Sequence, residues 1–526
     1  MKHCTLSLLL LFSIILKSQN IDVASRSLNL GNAFENSAAS GQVTVYNPGI
    51  FPIEVEDIDL FQTYGNFPFS LSDTAFTIMP QDSQTITVSF LPEHNIMHNS
   101  ALVLKTKSGF GHVAVQLNGQ GKYSNTYYNS TENKEEEALK SALKTRLGQG
   151  YNSLGYTAAR DNMYATIDNT GGTVECVYTG RTANFTTRAG ANSNNFNCEH
   201  TFPQGFFNQN EPMRSDIHHL FPTDVSANSR RSNDPFGIVS NPSWQQGGSK
   251  SGGGKFEPRN IHKGACARAM MYFVIRYQDY SNHFSGQESI LRSWHNTYAP
   301  SNGEKVRNNQ IAALQTSRNP FVDYPQFEER INNFVSNSTA PVRRDFYYSD
   351  DTIELRQAAG RYEYELVFFN NGNQVVNLTN FNLSDTSLHF VPNAPLSLAV
   401  QPGTVENLVI SFQSSNSYLA TLTFDTDIPG QSSKVIPINS TVGIGVEEEV
   451  TQVPIRFYPN PATDELRFGP GNISPSEVRI YDISGRERMY AEEVHVLDIS
   501  TLESGLYFVR LTTEQSEVVM HKMLKK

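Results

Sequence analysis

At 526 residues the chain is too long for one ordinary hydrophobic core, and its length predicts three or four domains. A formal net charge of -11 excludes a surface built throughout to bind nucleic acid. The charge is uneven, because residues 125–340 come to roughly +2 and the acidity lies in the flanks.

Lys2 and His3 lead into the apolar run from Leu6 to Leu16, which predicts a secretory signal over residues 1–18. That run is too short to span a bilayer and no later stretch is long enough, so the mature chain is expected to be exported with no transmembrane segment. Cys4 leaves with the signal. Of Cys176, Cys198 and Cys266, at most one internal pair can form. Cys176 with Cys198 is favoured by separation, and Cys266 reads as a small buried side chain.

Residues 20–123 alternate apolar and polar positions in short runs separated by turn residues, as in Thr85-Ile86-Thr87-Val88-Ser89-Phe90 and Val113-Ala114-Val115-Gln116-Leu117. Period-two runs with regular turns predict a β-sandwich. The pattern returns at residues 342–445. Asn47-Pro48-Gly49 corresponds to Asn370-Asn371-Gly372, and Pro80 with Phe90 corresponds to Pro402 with Phe412. A repeated spacing of this kind predicts one fold used twice. Both copies resemble immunoglobulin-like modules of the ASPM, SPD-2 and Hydin type. Neither contains a cluster of titratable residues, and their ligand is left unknown.

Between the copies, Glu135 to Lys144 carries leucines at i and i+4, an acidic start and a basic end, which predicts a helix. Val174 to Thr179 reads as a strand. The stretch from Cys198 to Asn233 then gathers Glu199, His200, His218, His219, Asn228, Arg230 and Arg231. Oxygen ligands for a divalent cation, imidazoles near neutral pH and planar cations for phosphate are the components of metal-assisted phosphodiester hydrolysis. Gly247 to Lys255 departs from a phosphate loop, since Ser249 replaces the first glycine and Phe256 follows the lysine, and it predicts a mobile surface loop. Lys263 to Tyr272 opens a long helix in which Arg268 and Arg276 read as ion-paired or solvated.

Glu-His-x-x-Pro from Glu199, Asp-x-His-His-Leu-x-Pro from Asp216 and Asn-x-x-Arg-x-Asn from Asn228 occur in that order. Together with Trp294-His295 and Arg318-Asn319-Pro320 they resemble the endonuclease I family of secreted non-specific nucleases, of the ββα-metal (His-Me finger) superfamily. The resemblance covers roughly residues 125–340. It implies one Mg²⁺ on Glu199 and Asn228, with Mn²⁺ or Ca²⁺ as alternatives. It also implies His200 as general base, Arg231 on the phosphate, and support from His218, His219 and Asp216. Arg214 and Arg230 are weaker phosphate candidates. Glu199 and His200 are adjacent, so on a regular strand they point apart, and both can serve one site only at a bend or a strand end. With no base-reading pattern, DNA or RNA is expected to be held by its phosphate backbone and cut without strong sequence preference; the resemblance implies 5′-phosphate and 3′-hydroxyl ends. The alternative is a surface adhesin acting through its sandwiches, with a structural zinc site from Cys198, His200, His218 and His219.

Residues 454–526, with Phe457-Tyr458-Pro459-Asn460-Pro461 and Ser504-Gly505-Leu506-Tyr507, predict another small β-sandwich with a basic tail. They closely resemble the type A C-terminal sorting domain of the type IX secretion system, which implies that machinery as a partner and a secreted or cell-surface destination. The expected architecture is multidomain: an α+β ββα-metal nuclease flanked by all-β immunoglobulin-like sandwiches and a small C-terminal β-sandwich.

Overall fold

The computed structural model describes residues 20–526 apart from 50–51, 63–66, 108, 278–280, 336, 357–360, 392–396, 414–415, 442–455, 470–474, 483–485, 493–494 and 513–517. The expected signal at 1–18 therefore lies outside the described residues. No helix among those described is long and apolar enough to cross a membrane. The chain forms one compact unit up to Gly443 and a second from Ile444.

The alternating stretches fold as two-sheet sandwiches with the same topology. In the first, a four-stranded sheet has the order Asp22–Val23, Ala39–Tyr46, Ser83–Phe90, Phe69–Leu71. Its five-stranded partner runs Ser27–Phe34, Val113–Lys122, Met97–Thr106, Ile53–Gln62, Phe76–Ile78. The second sandwich repeats both orders: Phe346–Tyr348, Arg361–Asn370, Val405–Gln413, His389–Val391 against Ile353–Arg356, Ser433–Thr441, Leu419–Thr426, Val376–Leu383, Ser397–Val400. In each, among the described residues, the parallel strand pairing joins the first strand of the larger sheet in chain order to its last.

The repeated Asn-x-Gly has one physical role in both copies. Asn47 Nδ2 donates to the Ile78 carbonyl at 2.9 Å while its Oδ1 accepts from Gly49 N at 2.9 Å. Asn370 Nδ2 donates to Val400 O at 2.8 Å and its Oδ1 accepts from Gly372 N at 2.8 Å. Each buried asparagine ties a strand end to the opposite sheet and satisfies polar groups the turn would otherwise leave bare.

The sandwiches meet within the first unit. Gly111 bridges to Glu365, and a Cβ at Gly111 would lie 2.3 Å from the Glu365 carbonyl oxygen, so only glycine permits this approach. The first sandwich also grips the central segment, where Tyr123 stacks on Tyr324 at 3.7 Å and Arg330 donates to Asn95 at 2.8 Å.

Helices dominate the central segment. Glu136–Gly148 buries Leu139, Leu143 and Leu147 on one stripe, with Glu136 and Glu137 in its first turn and Arg146 in its last. Asn260–Arg276 is buried along nearly its whole length. Three sequence expectations change. Gly247 to Lys255 is no mobile loop: Trp244–Gln246, Ser249–Gly252 and Lys255–Glu257 form an antiparallel meander. Its two connections, Gly247-Gly248 and Gly253-Gly254, have positive φ at both residues, the two-residue hairpin geometry that paired glycines favour. Of the expected 174–179 strand only Val174 and Glu175 are extended in a sheet, within the strand Thr173–Glu175. Cys176 and Cys198 are not joined; they and Cys266 are free, buried thiols.

The second unit has a three-stranded sheet (Arg456–Tyr458, Glu465–Gly469, Val496–Asp498) and a four-stranded sheet (Glu487–Glu492, Glu477–Asp482, Gly505–Thr512, Val518–Lys525). Leu466, Val478, Ile480, Val509 and Met523 fill its core. The basic tail is thus a paired strand.

Candidate active site

Glu199 and His200 end the Phe196–His200 strand, which pairs antiparallel with Leu220–Asp224, and Leu220–Asp224 runs directly into the Val225–Arg231 helix. Asp224 caps that helix, its carboxylate accepting from Ala227 N at 2.7 Å. A strand, a strand and a short helix thus carry Glu199, His200, Asn228, Arg230 and Arg231 on one compact element.

Alternation along the strand gives the two adjacent residues different neighbours. Glu199 is 1% exposed, and its Oε1 accepts from the Tyr178 hydroxyl at 2.7 Å and lies 3.0 Å from Arg231 Nε. That Arg231 approach is an ion pair by distance but off-axis for a hydrogen bond. Burial pushes the Glu199 carboxyl up to about 7, against the opposing pull of Arg231 and Tyr178. Oε2 has no hydrogen-bond partner among the described residues.

His200 is 7% exposed and looks the other way. Its Nε2 lies 3.2 Å from the Arg214 carbonyl, and its ring lies 5.4 Å from Tyr156 and 5.5 Å from His219. A carbonyl only accepts, so Nε2 carries the hydrogen and Nδ1 the lone pair. Burial, then the neighbouring His219, Arg214 and Arg160, lower its pKa to about 3, so the ring is neutral at physiological pH.

Asp216, His218 and His219 lie behind the site. The wholly buried Asp216 accepts from His218 N at 3.1 Å through Oδ1, and from the Tyr272 and Tyr277 hydroxyls at 2.8 and 2.5 Å through Oδ2. His218 and His219 direct Nε2 at the carbonyls of Ser317 and Met213, at 3.0 and 2.7 Å. Burial lowers both pKa values, that of His218 to about 4. Asn228 is half-buried, with no side-chain hydrogen bond among the described residues, and Arg230 is exposed.

Arg231 differs from its expected place on the substrate. The side chain is 0% exposed: Nη1 donates to Ser232 O and Nη2 to Thr201 O, both at 2.8 Å, and the guanidinium lies 4.6 Å from the Phe236 ring. Every nitrogen faces protein, so here it acts on Glu199. Arg268 and Arg276 are ion-paired, to Glu304 and Asp216.

Sequence reading missed Tyr178, which holds Glu199, and Tyr156 and Arg160, which flank His200. Tyr178 lay inside the expected strand, where a tyrosine reads as packing. Only the fold brings Tyr156 and Arg160 to His200. A cavity of about 330 Å³ lies apart from Glu199 and His200, lined by Phe221, Arg259, Glu304 and Arg307.

A zinc site fails on geometry. Among the described residues no group of three or more His, Cys, Asp or Glu side chains converges to hold a metal. The Cys198 thiol lies against the Glu199 carbonyl.

Residues 135–326 match the Endonuclease I family, and residues 456–526 match the secretion system C-terminal sorting domain. The chain carries an endonuclease I domain and a type IX sorting domain. An extracellular ribonuclease of Bacillus subtilis (strain 168) is 28% identical over 228 residues, 40% of this chain and 78% of that one. The extracellular ribonuclease of Bacillus amyloliquefaciens is 29% identical over 227 residues, 39% and 78% of the two chains. Among solved structures, the ASH/PapD-like domain of human CEP192 is similar over 24% of this chain and all of its own, at 12% identity and a TM-score of 0.19, too low to assign a fold. The protein is a secreted nuclease.

Proposed function

We propose that residues 125–340 form a ββα-metal endonuclease that cuts RNA or DNA with one divalent cation and His200 as general base, between two immunoglobulin-like modules at 20–123 and 342–445. The observation that carries the reading is the fixed tautomer of His200, which leaves Nδ1 a neutral, uncommitted base at the strand end.

The donor set suits a hard cation. Glu199 keeps Oε2 free while Tyr178 and Arg231 hold Oε1, and the Asn228 carboxamide is uncommitted. Mg²⁺ fits two such oxygens with water and phosphate completing its shell, and Mn²⁺ or Ca²⁺ are alternatives. When bound, the cation supplies positive charge against the phosphorane and the leaving oxygen. His200 Nδ1 takes a proton from water, whose oxygen bonds to phosphorus as the bond to the 3′ oxygen breaks. The 3′ oxygen then takes a proton from solvent, giving 5′-phosphate and 3′-hydroxyl ends. Arg231 lends its charge to Glu199 from within. The extracellular ribonucleases favour RNA as one substrate, and phosphate-backbone contacts would extend this to DNA.

Cation titration of the purified protein tests the ligand assignment. Glu199 carries a proton below about pH 7, so Mg²⁺ binding at pH 6 should release close to one proton. Calorimetry in buffers of different ionisation enthalpy reads that release. Wild-type-like Mg²⁺ binding and proton release in Glu199→Gln would remove Glu199 from the site.

A further inference from the structure

The central segment pairs its arginines thoroughly. Of the thirteen at residues 135–326, nine form ion pairs with Asp or Glu: Arg181, Arg188, Arg231, Arg259, Arg268, Arg276, Arg292, Arg307 and Arg318. Arg160 and Arg214 have no carboxylate partner among the described residues, and both lie beside His200. Arg160, on the Gly155–Asn162 helix, places its guanidinium carbon 4.0 Å from the centre of the Tyr156 ring. Arg214, from the Met213–Ser215 turn, places its own 4.4 Å from the same ring. That ring is 5.4 Å from the His200 ring.

The support is built. The Tyr156 hydroxyl is hydrogen-bonded to the buried Cys198 thiol, next in sequence to Glu199. Arg160 Nε donates to the Tyr156 carbonyl at 3.4 Å, which fixes the arginine one turn along. Arg214 holds His200 through its backbone carbonyl, while its Nε is buried with no partner. Two cations held against one ring without an acid repel each other and raise the cost of desolvation. Both costs are offset if an anion joins them, and planar guanidiniums match the two oxygens of a phosphodiester.

We infer that Arg160 and Arg214, both held against the Tyr156 ring, clamp a phosphate of the nucleic-acid strand beside His200. This rests on the nuclease reading for its ligand and takes over the phosphate contact that Arg231, being buried, does not make. Tyr156 positions the pair. Neither arginine moves a proton; their work is to hold the strand.

Binding of a fluorescent oligonucleotide to full-length protein in a His200→Ala background tests the clamp apart from chemistry. Arg160→Gln and Arg214→Gln should each weaken binding about tenfold. Each should also lower the slope of log Kd against log salt by about 0.7 to 0.9, and Arg160→Lys should recover part of the slope. In the active background KM should rise while kcat stays within about threefold. Unchanged affinity and salt slope in both glutamine variants overturn the clamp, even where the wild type cleaves well. A fall in kcat alone would overturn it too, as a structural effect on His200. Should wild-type protein bind but never cleave, with binding weakened in both variants, the nuclease reading fails and the clamp stands. Thermal melts identify any variant that fails to fold, and the other arginine then carries the test.

Discussion

The sandwich at residues 342–441 and the central segment before it bury different chemistry. Among described residues, the sandwich core holds Leu366, Phe368, Leu378, Ile410 and Phe424, and its buried polar groups are neutral: Ser349, Asn370, Ser411 and Thr426. The central segment buries Glu199, Asp216, Asp224, Arg231, Glu257, Lys263, Arg268 and Arg276, with five histidines lowered to about 3 or 4. Apolar alternation is enough to close a sandwich. Charges are buried only where partners fix them, and such fixed charges are what a site needs to act on a phosphodiester without reorganising. The contrast separates scaffold from machine more clearly than exposure does.

Breaking one buried pair should show the difference at its largest. Arg231→Met leaves Glu199 without its cation and two carbonyls without donors, and should cost about 3–5 kcal/mol. A urea unfolding curve for the 20–443 unit measures it, and a loss below about 1 kcal/mol would mean that the pair holds nothing. Asn47→Ala and Asn370→Ala should each cost about 1–3 kcal/mol, since each strips from one turn the bond across the sheets and the bond to the glycine, and Asn370 also gives up its donation to Gln374 O. Near-equal values would sharpen the claim of a duplicated scaffold, and a large inequality would break it.

Acid should separate the regions with a smaller, graded effect. His200, His218, His262, His283 and His295 are neutral in the fold, with pKa values of about 3 or 4 against an ordinary 6.5. The unfolded chain therefore binds more protons below pH 6.5. The stability these groups contribute is complete above that pH and is lost as pH falls toward 4. The second sandwich has only the exposed His389. Hydrogen exchange at pH 7 and pH 5 should show protection falling first in the central segment; an equal fall in both would contradict the assignment of buried neutral imidazoles.

Much of the scaffold was legible because its signals are local. Period-two runs gave both sandwiches, and Asn47 with Asn370 marked the duplication. The Gly-Gly hairpins were misread because paired glycines serve a tight turn and a loose loop equally well until φ is known. At the site, the motif order pointed to Glu199, His200 and Asn228 on one element. Burial was the part that could not be read. An arginine beside an asparagine motif looks like a substrate contact, and only the fold turns Arg231 inward onto Glu199 and brings Arg160 to His200.

Cleavage of RNA and plasmid DNA by the purified protein with Mg²⁺, with EDTA, and as His200→Ala tests the central claim most directly. The expected result is metal-dependent cutting that falls by about 10² to 10⁴ in the variant, with circular dichroism unchanged. His200→Ala protein that folds and cuts at the wild-type rate would contradict the assignment of the base.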